Sequence, residues 1–218
     1  MTSLVFQIAR IRNKWFKDFL IQQFTAAYKV NVEEALLSAP DDFACFNDFF
    51  IRDLKAGRRP IAVADDAIVS PADGTVSAAG RIDKERIFQA KGLHYTLTDL
   101  LATDLADADR YVDGAFATIY LAPYNYHRVH CPVAGKLVAA RYVPGDLYSV
   151  NAATVSLLPN LFTRNERLIC HFETVFGPMA VVLVGAMNVG SISTPWSGEI
   201  RPRKRGVVDD IEIGRAHV

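Results

Sequence analysis

The stretch RLICHFETVFGPMAVVLV, residues 167–184, decides the expected fold because a Gly-Pro pair separates two short apolar runs. Short runs of this kind, bounded by glycine and proline, favour buried strands over helices. Comparable runs occur at 68–69, 115–121 and 137–143, with Asp-Gly or Pro-Gly pairs between them. The pattern predicts short strands in mostly antiparallel sheets over most of the chain beyond residue 60.

The N-terminal residues, 4 to about 38, show helical periodicity instead. One stripe of this predicted helix contains Leu4, Ile8, Ile11, Trp15 and Phe19, and the opposite face contains Arg10, Lys14 and Lys17. The pattern fits a surface helix packed on the core with solvated charges. It also fits an interfacial helix that lies in an anionic membrane surface.

A second, short helix is predicted within residues 91–107, where four leucines are spaced to face inward: Leu97, Leu100, Leu101 and Leu105. The segment 184–191 is expected to form two strands, or a strand and a bulge. The fold class is therefore α+β, with N-terminal amphipathic helices followed by a mostly antiparallel β sandwich or barrel-like core.

Composition narrows the class of protein. The 24 basic and 24 acidic residues cancel, so bulk charge gives no argument for a nucleic-acid partner. Three scattered cysteines, Cys45, Cys131 and Cys170, do not make a disulfide framework and favour a reducing compartment. Residues 174–198 carry no charge, but glycines and prolines punctuate them, which predicts strand and turn and not a membrane-spanning helix.

The segment YLAPYNYHRVHCPVAG, residues 120–135, concentrates proton-transfer chemistry. His127 and His130 stand three residues apart between two prolines, so a helix that would align them for a metal is disfavoured. Metal binding with Cys131, purely structural histidines, and two separate catalytic roles all remain open. Asp73 fits either a simple Asp-Gly turn or a carboxylate that orients one imidazole, and Ser149 follows a Pro-Gly turn.

Seven segments in order resemble the phosphatidylserine decarboxylases, in particular their membrane-associated bacterial branch. They are FNDFFIRDLK (46–55) with Arg59-Pro-Ile61, SPADG (70–74), QAKG (89–92), YHRVH (126–130), VPGDLYSVN (143–151), NLFTRNER (160–167) and VGAMNVGS (184–191) with Trp196-Ser-Gly198. The resemblance runs from about Phe24 to Arg205. Agreement of so many ordered motifs is far more specific than any one of them.

The resemblance implies a pyruvoyl group made from a serine of the chain itself, whose carbonyl condenses with the amine of phosphatidylserine and draws electrons during loss of carbon dioxide. It implies that Asp73 orients His130 and that His130 acts as the base toward the processing serine. His127 and Ser149 become the candidates for substrate handling and reprotonation. The division of work between His127 and His130 stays open.

The same resemblance implies the partners and the organisation of the chain. The partners are phosphatidylserine, an anionic membrane surface and a small pyruvoyl-bearing subunit, with a homodimer as an open alternative and no nucleic acid. Residues 1–40 would form a helical, membrane-contacting segment, and residues 41–212 a β-rich catalytic domain that lacks its C-terminal pyruvoyl part. Attachment would be peripheral, at the cytoplasmic face of the bacterial cell membrane.

One part of the family pattern is absent. The sequence contains no Leu-Gly-Ser-Thr motif, so the chain as written is expected to be inactive, and residues 213–218 are suspected to be a non-native tail. Two alternatives remain open. One is a non-catalytic carrier or phosphotransfer module with His127 or His130 as phosphoacceptor. The other is a zinc-dependent hydrolase that uses His127, His130 and His171.

Overall fold

The computed structural model describes residues 2–64, 66–84, 86–189, 191–200 and 209–211. Its α-helices are α1 (Thr2–Ile8), α2 (Lys14–Tyr28), α3 (Phe46–Phe50), α4 (Leu97–Leu101), α5 (Leu105–Ala108), α6 (Ala152–Leu157) and α7 (Leu161–Arg164), with 3-10 turns at Val32–Glu34 and Asp109–Tyr111. Its strands are β1 (Thr75–Arg81), β2 (Arg86–Ala90), β3 (Leu93–Thr96), β4 (Ala115–Tyr120), β5 (Gly135–Val143), β6 (Arg167–Thr174), β7 (Gly177–Val184), β8 (Ile192–Thr194), β9 (Gly198–Ile200) and β10 (Asp209–Ile211).

The predicted α+β class is confirmed. The largest sheet has the open strand order β10-β5-β6-β7, and each of its pairs is antiparallel. Residues 167–184, the two apolar runs separated by a Gly-Pro pair, form the β6–β7 hairpin, in which Thr174 pairs with Gly177. Smaller two-stranded sheets pair β1 with β4, β2 with β3, and β8 with β9.

The chain divides into two compact units, which are described separately. The first contains residues 1–2, 76–118 and 134–218, and the second contains residues 3–75 and 119–133. Residues 3–40, most of the predicted helical segment, fall within the second unit together with residues 41–75. The suspected tail, 213–218, lies outside the described residues.

The helical segment predicted over residues 4–38 is interrupted in two places. Asn13 accepts a hydrogen bond from the Phe16 N–H and starts a new helix, so residues 9–13 separate α1 from α2. Lys29 ends α2 in the left-handed conformation, and only a 3-10 turn follows before residue 38. Lys17 is also buried and not solvated, because its Nζ donates to the Pro40 carbonyl and pairs with Asp18.

Other local expectations need smaller corrections. Residues 68–69 are not in a strand, and the predicted helix at 91–107 begins only after β3, at Leu97. Leu97 and Leu101 are buried as expected, whereas the side chain of Leu105 is outside the described set. In the described part of 184–191, β7 ends in a turn and no second strand forms. Among the described residues, no helix is both long enough and apolar enough to cross a bilayer.

Asn165 supports the loop that carries Ser149 in the first unit. Its side chain is fully buried, its Oδ1 accepts from the Tyr148 N–H at 3.0 Å, and its Nδ2 donates to the carbonyls of Tyr148 and Gly185. The three bonds join the end of β7 to residues 147–149. A buried amide with all these partners fixes the loop through hydrogen bonds.

We expect Asn165→Ala to destabilise the protein by about 2–4 kcal/mol, because it removes a fully buried amide and three hydrogen bonds to backbone groups, one of them buried and two part-buried. Urea unfolding followed by circular dichroism measures the change. Thr163→Ala is the control, since it removes a single side-chain bond to the Asn160 carbonyl and should cost less than about 1 kcal/mol. Equal losses for the two variants would contradict the bracing role of Asn165.

Candidate active site

Two backbone hydrogen bonds bring the predicted site segments together within the second unit. The Val69 N–H donates to the Pro132 carbonyl at 2.9 Å, and the His130 N–H donates to the Pro71 carbonyl at 2.7 Å. Both prolines act only as acceptors, as they must, since proline has no N–H. The SPADG turn and the histidine loop therefore run side by side, although they are far apart in sequence.

Gly74 explains why the turn has an Asp-Gly pair. Its φ of +145° is unfavourable for other residues, and a Cβ at this position would collide with the Tyr120 carbonyl oxygen. The close approach holds the turn against the end of β4 within the same unit. Asp73 is fixed beside that point of contact.

The carboxylate of Asp73 is held by Arg59. Arg59 Nε and Nη2 donate to Asp73 Oδ1 and Oδ2, both at 2.7 Å, and Nη2 also reaches Glu34 Oε2 at 3.0 Å. These hydrogen bonds, above all, lower the pKa of Asp73 below its ordinary value, and a bond from the Tyr126 N–H adds to the effect. Asp73 is therefore an anion at neutral pH.

His130 has a different side-chain partner. Its Nε2 lies 3.1 Å from the Tyr126 hydroxyl, and the two rings stack with centroids 5.6 Å apart. The structure thus brings Asp73 and His130 into adjacent segments but shows Arg59, and not His130, bound to the carboxylate. The orienting role of Asp73 stays a prediction.

His127 is half-buried and fixed in one tautomer. Its Nδ1 must donate to the Asn125 carbonyl at 2.8 Å, because a carbonyl only accepts, so Nε2 carries the lone pair of the neutral ring. Phe50, at the end of α3, packs on the imidazole with ring centroids 4.0 Å apart. Burial, and to a lesser extent the charge of Arg52, lowers the pKa of His127.

The histidine loop is pinned to the segment after α3. Arg128 Nε donates to the Ile51 carbonyl and Nη2 to Asp53 Oδ2, both at 2.8 Å. Asn125 Oδ1 accepts from the Ala122 N–H at 2.7 Å and closes the turn around Pro123. These contacts fix the backbone between the two histidines, so their rings keep separate environments.

Ser149 belongs to the first unit, in the loop that precedes α6. Its Oγ accepts a long hydrogen bond, 3.5 Å, from the Asn151 N–H. Its proposed part in substrate handling stays a prediction.

Metal-dependent alternatives find no support in the described part of the chain. No group of three or more His, Cys, Asp or Glu side chains there could hold a metal ion. His171, the third ligand of the zinc interpretation, has its Nδ1 2.7 Å from the Tyr111 hydroxyl. The Cys131 thiol donates to the Val133 carbonyl within its own turn.

Four residues of this site were not assigned a role from sequence: Glu34, Arg52, Arg59 and Tyr126. Arg52, Arg59 and Tyr126 stand within the segments that carry the family resemblance, so the sequence gave a signal for their positions. The sequence gave no signal for the partners of these residues, because an ion pair between Arg59 and Asp73 forms only when folding brings the two residues together.

Comparison with known proteins places the chain in a class of lipid-modifying decarboxylases. The profile of the phosphatidylserine decarboxylase family matches residues 46–213, and a second profile, described as PSD, matches residues 1–29. The chain belongs to the phosphatidylserine decarboxylase family, as the sequence motifs predicted.

Several bacterial relatives are about half identical to the chain. The phosphatidylserine decarboxylase proenzyme of Saccharophagus degradans is 52% identical over 206 residues, which cover 94% of this chain and 72% of the relative. The proenzyme of Methylococcus capsulatus is 50% identical over 202 residues, covering 93% and 70%. That of Vibrio cholerae is 49% identical over 208 residues, covering 95% and 73%. These comparisons support neither the phosphotransfer nor the zinc-hydrolase interpretation.

The buried environment of His127 gives a testable consequence. We expect its pKa to lie below 6.5 and to rise toward 6.5 in Phe50→Ala, because removing the ring admits water to the imidazole. Histidine Cε1–H NMR titration, assigned with His127→Gln, measures both values. Phe88→Ala is the control, since Phe88 packs on His94 instead.

The sign of the linked stability effect follows from the lowered pKa. As the pH falls below 6.5, the unfolded chain takes up this proton before the folded chain does, so His127 contributes a loss of stability at acid pH. A His127 pKa that stays constant in Phe50→Ala would show that the ring does not control its solvation.

Proposed function

We propose that the complete protein carrying this chain converts phosphatidylserine to phosphatidylethanolamine, with release of carbon dioxide, as a carboxy-lyase of phospholipid synthesis. The family match over residues 46–213 is the observation that carries this proposal. The matched range contains the SPADG turn and the histidine loop, whose backbones are paired. Relatives of this chain at about 50% identity are phosphatidylserine decarboxylase proenzymes.

The proenzyme names are consistent with a pyruvoyl group formed from a serine of the protein, and we propose that a small subunit bears it. When present, its carbonyl would draw electrons away from the substrate as carbon dioxide leaves. The described residues fit such a neutral carbonyl group chemically. His127 offers a neutral Nε2 that can take up or return a proton, and burial keeps that nitrogen unprotonated near pH 7.

In this proposal the two histidines have separate tasks. His130 takes the proton of the processing serine, and Asp73 supports it from the adjacent segment. Arg59 donates one hydrogen bond to each Asp73 oxygen and the Tyr126 N–H donates another, whereas a carboxylate accepts about four, so capacity for one imidazole N–H remains. His127 handles the proton that replaces the lost carboxylate, with Ser149 as the second candidate for substrate handling.

The complete gene product tests these roles. We expect the wild type to split into two polypeptides, the shorter with a blocked N-terminus, and to release carbon dioxide from carboxyl-labelled phosphatidylserine. His130→Gln should stay unsplit. His127→Gln should split but lose about 100-fold or more in kcat, the usual size of a general acid–base contribution.

The exposed His94, whose Nδ1 bonds the Gly92 carbonyl, provides the control variant His94→Gln, which should split and turn over normally. Normal splitting of His130→Gln would overturn its role in processing. Splitting of the wild type without release of carbon dioxide would overturn the proposed substrate.

We also propose that the N-terminal helices contact an anionic membrane surface, at the cytoplasmic face and without crossing it. The stripe predicted from sequence points largely to water: Trp15 is 77% exposed and Phe19 48%, and Leu4 and Ile11 are exposed as well. The Trp15 and Phe19 rings stack with centroids 6.2 Å apart. Exposed aromatic and aliphatic groups that cluster within one short segment of the chain mark an interaction surface.

The charge of the N-terminal segment also favours an acidic lipid surface as the partner of the exposed apolar residues. Residues 1–29 contain five basic residues and one acidic residue. Lys14 is paired with Asp18 and Asp41, and Lys17 with Asp18, so the exposed Arg12 remains the clearest attraction for acidic lipids in α1, α2 and their connection. The apolar contact therefore contributes most of the binding in this proposal.

Replacing both stacked rings tests the membrane proposal. We expect Trp15→Ser/Phe19→Ser to partition onto phosphatidylserine-containing vesicles about 10- to 100-fold less than wild type, because two aromatic side chains no longer leave water. Vesicle sedimentation measures the difference. Val175→Ser/Phe176→Ser, at the exposed β6–β7 turn, is the matched control and should bind like wild type. Equal losses in both variants would contradict a specific role of α2.

A further inference from the structure

Arg52 is a buried arginine whose hydrogen-bonding capacity is largely unused. Its side chain lies within the second unit and the residue is only 4% exposed. Nη2 donates to the Tyr124 carbonyl at 3.2 Å, but Nε and Nη1 are buried and have no hydrogen-bond partner. A buried guanidinium with unfilled donors is costly, so such a group is expected where a ligand completes it.

A polar cavity of about 220 Å³ adjoins this arginine. Its wall includes Lys29, Arg52, Arg59, Glu34 and Asp73, so three cations face two carboxylates. Arg59 already binds both of those carboxylates. Arg52 and the exposed Lys29 therefore give the cavity an excess of positive charge.

The contacts around Arg52 keep its charge in place. The guanidinium carbon lies 5.4 Å from the Phe49 ring centroid, and Phe49 is itself buried in the small core of the second unit. The guanidinium thus packs against the Phe49 ring and donates a hydrogen bond to the Tyr124 carbonyl, and these two contacts fix its position. A fixed, desolvated cation suits the recognition of an oxyanion, because little order is lost on binding.

We propose that this cavity, the Arg52 pocket, is an oxyanion subsite that binds the phosphodiester of the lipid headgroup. The inference rests on the proposed function, and it assigns to the enzyme a second recognition site beside the proton-transfer residues. The cavity shares Asp73 and Tyr126 with the candidate active site. A headgroup phosphate held here would place the serine part of the same molecule close to that site.

The phosphodiester is favoured over the serine carboxylate by the reaction itself. The carboxylate loses its charge as carbon dioxide leaves, so an arginine bound to it would stabilise the starting state more than the transition state. The phosphodiester keeps its single negative charge throughout. An arginine bound to it strengthens substrate binding without opposing the chemical step.

Binding of three soluble probes to the complete protein tests the subsite by calorimetry. Glycerophosphoethanolamine carries the phosphodiester and an ammonium but no carboxylate, serine carries the carboxylate and an ammonium but no phosphate, and inorganic phosphate represents the free anion. We expect Arg52→Met to weaken glycerophosphoethanolamine binding about 10- to 100-fold, the usual loss for charge-assisted hydrogen bonds. Serine binding should not change.

The control is Arg58→Gln, which removes a charge from an exposed neighbouring residue outside the cavity and should bind like wild type. Lys29→Gln should weaken glycerophosphoethanolamine binding about threefold, because an exposed cation contributes less. If Arg52→Met does not fold, Arg52→Lys and Lys29→Gln replace it. Lysine keeps the charge but not the planar donor set, so Arg52→Lys should still weaken binding.

Three binding outcomes would overturn the proposal. They are unchanged binding of glycerophosphoethanolamine to the Arg52 variant, a loss confined to serine, and a loss confined to inorganic phosphate, which would indicate a free-phosphate site. In kinetics with phosphatidylserine, Arg52→Met should raise KM and leave kcat within about threefold. A fall in kcat at constant KM would also overturn it.

Failure of the proposed function would look different. A wild-type protein that binds glycerophosphoethanolamine through Arg52 but releases no carbon dioxide would keep the subsite and reject the decarboxylase. If the wild type releases carbon dioxide but its binding of glycerophosphoethanolamine does not depend on Arg52, the decarboxylase function is kept and the subsite is rejected.

Discussion

The candidate site depends on the pairing of the backbone at residues 69–71 with the backbone at residues 130–132. Two hydrogen bonds, each with a proline carbonyl as acceptor, join segments that local propensity alone would never bring together. Closing so long a loop costs conformational entropy, which two hydrogen bonds do not offset. The close approach of Gly74 to Tyr120 and the hydrogen bonds from Arg59 to Asp73 also hold the SPADG turn in place.

Charge in this unit is organised around Arg59. The Arg59 guanidinium binds Asp73 and Glu34 together and offsets one of their two negative charges, whereas both carboxylates act on Arg52 only through longer-range electrostatic attraction. Arg52 then remains buried with unfilled donors, and burial lowers its pKa. Such an arrangement reduces the stability of the isolated protein, and natural proteins accept this where a ligand binds. The binding of both carboxylates by Arg59 and the unfilled donors of Arg52 are therefore linked features of the same cavity.

The two histidines illustrate how close neighbours in sequence acquire different chemistry. His127 is packed under Phe50 and bonded through Nδ1, which favours a neutral ring with a free Nε2. His130 is exposed and stacks on Tyr126 instead. Residues three apart in an extended loop point in different directions, so each ring meets its own surroundings. The two rings therefore differ in burial and in hydrogen-bond partner, which is the basis on which separate tasks were proposed for them.

The sequence by itself determined the strands β4, β5, β6 and β7, because short apolar runs and turn residues act over a few positions. It also predicted the family, which the comparisons confirm, and it pointed to Asp73, His127 and His130 because their motifs are local, although the roles of these three residues stay predictions. It did not reveal the break at Asn13, where a capping side chain outweighed a continuous periodic stripe. The burial of Lys17, the Arg59 bridge and the unfilled donors of Arg52 were decided only by the tertiary structure. Each of these depends on partners that are distant in sequence and are brought close only by folding. A contact between residues that are distant in sequence leaves no local pattern in the chain.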